Sequence, residues 1–139
     1  LIIGQNEVLL LSDPMLNVSG WFGQAIVSPP ADQTVRGGDT LELAGINLTV
    51  LEIPGHSPGH VVYVVQGQPL RVFGGDVLFQ GSIGRTDFPG GSFDVLARGI
   101  REKLYALPDD TIIYPGHGPS TTVGRERREN DFVRGDNIL

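Results

Sequence analysis

Residues 51–65 read LEIPGHSPGHVVYVV and hold two of the chain's three histidines, His56 and His60. Strand-forming residues flank the segment on both sides, so it predicts two strands joined by Pro-Gly-His-Ser-Pro-Gly-His. A plain hairpin closes with about two to five turn residues and needs no imidazole. A glycine precedes each histidine, which lets the backbone approach a small buried object, and the prolines stiffen the loop. The segment therefore reads as a loop built to hold an imidazole. The blander alternative is a pair of hydrogen-bonded turn residues, the commoner fate of a lone histidine.

The same pattern recurs further along the chain. RVFGG at 71–75 predicts a strand that ends on Asp76, and TIIY at 111–114 predicts one followed by His117 within Pro-Gly-His-Gly-Pro. His56, Asp76 and His117 thus each follow a predicted strand and a glycine, and strand ends on one edge of a sheet converge in space. Imidazole and carboxylate form the ligand set of zinc, non-haem iron or manganese. His60 opens the next strand and is a candidate either to orient a ligand from behind or simply to pack. In GSIGRTDF, Arg85 and Asp87 read as a surface ion pair, or Arg85 as an anion-binding guanidinium at the mouth of a site. The run GRERREN reads as the solvated face of a helix.

Around these residues, Thr40–Leu43 and Ile46–Ile53 predict a hairpin turning at Ala44-Gly45, followed by a strand over 60–66. A loose apolar stripe over about 6–18 predicts a helix weakened by Pro14. Residues 20–39 and 77–92, rich in glycine, read as loops, the second long enough to expect a function. Phe93, Leu96, Ile100 and Leu104 recur at helical spacing behind Ser92, a suitable N-cap, and predict a helix over 92–107. A second helix is predicted over about 122–134. Strands first, then strands alternating with helices, imply an α/β (α+β) layered sandwich formed by a single domain, 1–139.

The composition narrows the function classes. The chain has 139 residues, 40% of them hydrophobic and 19% charged, as expected of one folded domain. Its net charge of −6 gives no electrostatic help toward nucleic acid or an anionic membrane. The absence of cysteine excludes disulfides, thiolate zinc sites and cysteine nucleophiles. No apolar run is long enough to span a bilayer, and LIIGQNEVLLLSD, with Glu7 and Asp13, lacks the basic start of a signal peptide. No P-loop or Gly-X-Ser-X-Gly elbow is present. The chain opens on Leu1 directly in an apolar segment, as expected of a piece of a longer protein.

IPGHSPGHVVYV, VFGGDVLFQGSIGRTDFPGG and IIYPGHGPSTTVGRERREN resemble, in order, the later motifs of the metallo-β-lactamase superfamily, and within it the type II glyoxalase-like hydrolases. The resemblance runs from about residue 40 to 133. It implies the C-terminal half of an αββα sandwich, whose complete form holds two metals at the sheet edges. His56 resembles a ligand of the first metal, Asp76 the bridging aspartate and His117 a ligand of the second, with His60 in support. Arg85 resembles a residue near the glutathione part of a substrate. The implied enzyme is a cytoplasmic hydrolase of glutathione thioesters, of the S-lactoylglutathione type, using zinc, or iron or manganese. The family's first motif, His-X-His-X-Asp-His, has no counterpart, since no histidine precedes His56. The resemblance then implies impaired metal binding by this chain alone, and an apolar face that invites a homodimer or a complementing N-terminal half. Two alternatives stand beside it. One is a persulfide dioxygenase with a single iron, which would use His56 and Asp76 without His117. The other is a non-catalytic fragment with a vestigial site.

Overall fold

The computed structural model describes residues 1–135. Its centre is a six-stranded sheet in the order β10-β9-β6-β5-β4-β3. Strands β3 (Thr40–Leu43), β4 (Ile46–Glu52), β5 (Val61–Val65) and β6 (Arg71–Gly75) form an antiparallel meander. The chain then crosses over through a helix and returns as β9 (Ile112–Pro115), parallel to β6, with β10 (Thr121–Thr122) antiparallel on the edge. Two small pairs flank this sheet: β1 (Ile2–Gly4) with β2 (Gln33–Val35), and β7 (Leu78–Phe79) with β8 (Ser82–Ile83). The layered α/β class expected from the sequence is the one observed.

Alternation in β5 and β6 divides the apolar residues between two faces. Val62, Val64, Val72 and Ile113 point to one face and are covered by helix α1 (Phe93–Gly99), which continues as a π-helical turn over Ile100–Leu104. Ser92 caps α1 by accepting from the Val95 amide. Leu96, Ile100 and Leu104 are fully buried there; each is worth roughly 1.5–3 kcal/mol of burial. Phe93, expected in the same stripe, lies at its start and is 44% exposed. The close approach of helix to sheet depends on Gly55 at φ +124°, where a Cβ would stand 2.6 Å from Leu96.

The other face is only partly covered. Val35, Leu41 and Val50 form a small cluster with Ile2, Leu48 and Tyr63. Beyond it an open groove is lined by Leu43, Ile46, Val65 and Phe73, and Phe73 stacks on Tyr114 with 52% of its surface exposed.

Several elements differ from expectation. The helix expected over 6–18 is a 3-10 helix over Gln5–Leu11, and a second short one follows at Ser19–Phe22. The loop expected at 20–39 contains β2, and the loop expected at 77–92 contains the whole β7–β8 hairpin. Helix α2 (Val123–Glu129) stops early because Asn130 turns extended and its side-chain oxygen accepts from the Phe132 and Val133 amides. No helix among the described residues is long and apolar enough to cross a membrane.

Candidate metal centre

Strands β4, β6 and β9 run in the same direction, because β4 and β6 are each antiparallel to β5 and β9 is parallel to β6. The segments that leave their C-terminal ends therefore emerge at one sheet edge. They carry His56, Asp76 and His117, and the structure brings these three together. His56 Nε2 lies 3.7 Å from Asp76 Oδ2, and His117 Nε2 lies 3.7 Å from Asp76 Oδ1. Each oxygen of one carboxylate thus faces a different imidazole. A backbone hydrogen bond from the Gly116 amide to the Gly75 carbonyl, 2.8 Å, ties the Asp76 and His117 loops together. Gly116 lets them close: a Cβ there would stand 2.5 Å from Asp76 Oδ1.

His56 is held by a hydrogen bond from Nδ1 to the Arg85 carbonyl, 2.9 Å. A carbonyl only accepts, so Nδ1 carries the proton and Nε2 of the neutral ring is left with a lone pair. That lone pair meets a carboxylate oxygen, an unfavourable arrangement unless a proton or cation lies between them. A separation of 3.7 Å suits two ligands each about 2 Å from one ion. By donor chemistry and spacing the residues fit divalent metal, with His56 and His117 on opposite sides of the Asp76 carboxylate. Among the described residues, however, no three His, Asp or Glu side chains converge on a single point. Each side offers one imidazole and one carboxylate oxygen, fewer than the three protein ligands of a catalytic zinc.

His60 lies behind this set. Its ring packs edge-on to His56 at 5.8 Å, and its Nε2 is 3.3 Å from the Gly74 carbonyl. Burial pushes the His60 imidazole below its ordinary pKa, while Glu7 opposes that shift. Arg85 stands at the mouth of the cleft. Its guanidinium grips Asp87 through two hydrogen bonds of 2.7 and 2.8 Å and lies over the Phe88 ring. The hydrogen bond to Arg85 holds the Asp87 carboxyl down at about 2. The side chain thus makes the ion pair, while its carbonyl orients His56, a role that no side-chain pattern announces.

Two contributions were not legible in the sequence. Phe79 stacks on His117 with centroids 4.5 Å apart. Gly84 passes so close to the site that a Cβ would overlap the Asp76 carbonyl and lie 3.2 Å from His56 Nδ1. The glycine-rich composition of that loop was the available signal.

These features define an α/β protein with a candidate metal centre at one edge of its sheet. Residues 1–117 match the family described as Metallo-beta-lactamase superfamily, and the chain belongs to that superfamily. It is 46% identical over 132 residues to the Bacillus subtilis (strain 168) probable metallo-hydrolase YqgX, covering 94% of this chain and 62% of that protein. It is 50% identical over 96 residues to hydroxyacylglutathione hydrolase GloC of Haemophilus influenzae, covering 69% of this chain and 45% of that one. Among solved structures, the BLEG-1 B3 metallo-beta-lactamase superposes with a TM-score of 0.88 at 41% identity, over 95% of this chain and 64% of that one. The di-iron-bound form of TTHA1623 superposes at 0.78 with 37% identity, over the same shares. The chain therefore spans less than two thirds of the proteins named here.

Proposed function

We propose that this chain supplies the C-terminal part of a two-metal hydrolase centre that cleaves glutathione thioesters of the S-lactoylglutathione type. The observation that carries the reading is the carboxylate of Asp76, which offers one oxygen to each of two imidazoles at equal distance. The similarity to a protein named hydroxyacylglutathione hydrolase supports the substrate class. When bound, the divalent metals supply a nucleophile from water at neutral pH and stabilise the developing oxyanion. His56 and His117 would hold one ion each, and Asp76 would bridge them. The Arg85 carbonyl keeps the His56 lone pair on Nε2, turned toward Asp76, where it would be available to an ion. Arg85 would steer a substrate carboxylate by exchanging it for Asp87. Zinc is the proposed metal, with iron or manganese as substitutes. Each ion lacks ligands within this chain, so a complementing N-terminal half, or a second copy, would complete the site and cover the face around Phe73.

The equal placement of His117 favours this reading over the single-iron dioxygenase, which would not need that residue. The test is thiol release from S-lactoylglutathione with added zinc or manganese, by the chain alone and mixed with the N-terminal portion of a longer relative. Turnover is expected in the mixture, little from the chain alone, and none with Asp76→Asn or His117→Ala. Oxygen uptake on a persulfide that survives His117→Ala would overturn the hydrolase reading, as would turnover of a chromogenic β-lactam in preference to the thioester.

A further inference from the structure

We propose that Glu126 is a positioning residue for the metal centre, holding His117 in place through the hairpin that carries Phe79. The inference rests on the metal-centre reading above. The GRERREN helix was expected to present a solvated face, and its arginines are partly exposed, but Glu126 is 1% exposed. Its Oε2 accepts from the Gly81 amide and from Asn130 Nδ2, both at 2.8 Å, and its Oε1 accepts from the Thr121 hydroxyl. Asn130 Nδ2 also donates to the Ser82 carbonyl at 3.1 Å. One carboxylate therefore joins the turn of the β7–β8 hairpin, strand β10 and the end of α2. Burying a carboxylate costs several kcal/mol unless both oxygens are satisfied, so truncation here is expected to release all three segments together.

Those segments bear on His117 from two sides. The hairpin supplies Phe79, whose ring stacks on the imidazole at 4.5 Å. Thr121 ends the loop that begins at His117. The side chain of His117 is 73% exposed, whereas that of His56 is 21% exposed and fixed by the Arg85 carbonyl. The two halves of the site are thus held by separate devices. Loosening the Glu126 cluster should displace His117 and leave His56 where it is.

The test is imidazole NMR of the chain with ¹⁵N-labelled histidine, in the wild type, Glu126→Gln and Phe79→Leu, first without metal and then titrated with zinc. Thermal melting is followed in parallel. Without metal, Glu126→Gln is expected to shift the His117 ring signals in the direction seen in Phe79→Leu, with His56 signals unchanged. With zinc, affinity read at His117 should fall about tenfold or more, the scale of losing a support behind a ligand, and affinity read at His56 by less than about twofold. Unmoved His117 signals in Glu126→Gln would overturn the proposal. So would equal displacement of both histidines together with a lowered melting temperature, since that marks general loosening. If Glu126→Gln does not fold, Thr121→Val makes the same comparison by removing a single hydrogen bond. A wild type in which zinc perturbs neither histidine would count against the proposed function, while the metal-free shifts would still decide the role of Glu126.

Discussion

The Nδ1 of His56 sits 2.9 Å from the carbonyl oxygen of Arg85, and this bond decides which nitrogen can meet a cation. A carbonyl cannot donate, so the ring presents Nε2 to Asp76 in the tautomer whose Nε2 carries the lone pair. His56→Ala is expected to lower zinc affinity at its side of the site about tenfold or more. Gly116→Ala, whose Cβ would stand 2.5 Å from Asp76 Oδ1, should weaken zinc binding on both sides while the chain still folds. Isothermal titration with zinc checks both. Wild-type affinity in Gly116→Ala would show that the carboxylate moves aside freely.

Under the proposed function, a substrate anion would have to open the pair formed by Arg85 and Asp87. Asp87→Asn leaves the guanidinium without its charged partner, so glutathione should bind several-fold more tightly to that variant. Arg85→Ala should bind it several-fold more weakly. Saturation-transfer NMR with glutathione measures both, and equal affinities across the three proteins would remove Arg85 from substrate binding.

His60 carries a pH dependence. Its folded pKa lies below the ordinary 6.5 because the ring is buried. Above that value both folded and unfolded chains hold it neutral. As pH falls through about 6.5, the unfolded chain takes up a proton that the folded ring resists. Stability is therefore expected to fall from about 6.5 down to the depressed folded value, and to level off below it as far as this residue is concerned. His60→Gln should flatten that part of the curve. Urea midpoints taken at about pH 7.5 and 5.5 would reveal it, and the same slope in the variant would assign the acid limb to other groups.

Thr111 is fully buried immediately before β9, and its hydroxyl has no hydrogen-bond partner among the described residues. An unpaired buried hydroxyl costs about 1–3 kcal/mol. Thr111→Val keeps the shape and removes the cost, so the variant should gain roughly 1 kcal/mol and melt a few degrees higher. A lower melting temperature would mean that the hydroxyl is satisfied in solution.

The fold and the convergence of His56, Asp76 and His117 were legible where local chemistry and tertiary structure agree. The hairpin over 40–53, the strands before His56, Asp76 and His117, and the Ser92 cap all followed from periodicity and turn residues. Those three residues stood out because each combines a strand end with a preceding glycine. What escaped depends on long-range contact. Glu126 looked like one charge in a surface run, and only its placement against Gly81, Thr121 and Asn130 makes it interior. A helical count from Val123 through Glu126 to Asn130 does mark a common face, but the charges around Glu126 hide it. Phe79 on His117 and the Arg85 carbonyl on His56 join residues 38 and 29 positions apart in the chain, which no window of sequence spans. The apolar stripe over 6–18 was too irregular for an α-helix, and Pro14 confines the helical turns to the segment before it.

The parallel pairing of β6 with β9 also sets the order in which the chain can assemble. Strands β3 to β6 are successive neighbours joined by short connections, so they can zip together locally. Strand β9 must wait for the whole crossover through α1, and such long closures come late because the chain loses more entropy before any contact repays it. His56 and Asp76 belong to the early part and His117 to the late one. The ligand set should therefore mature in two stages during refolding, so that His117 reports the final docking of the sheet rather than its nucleation.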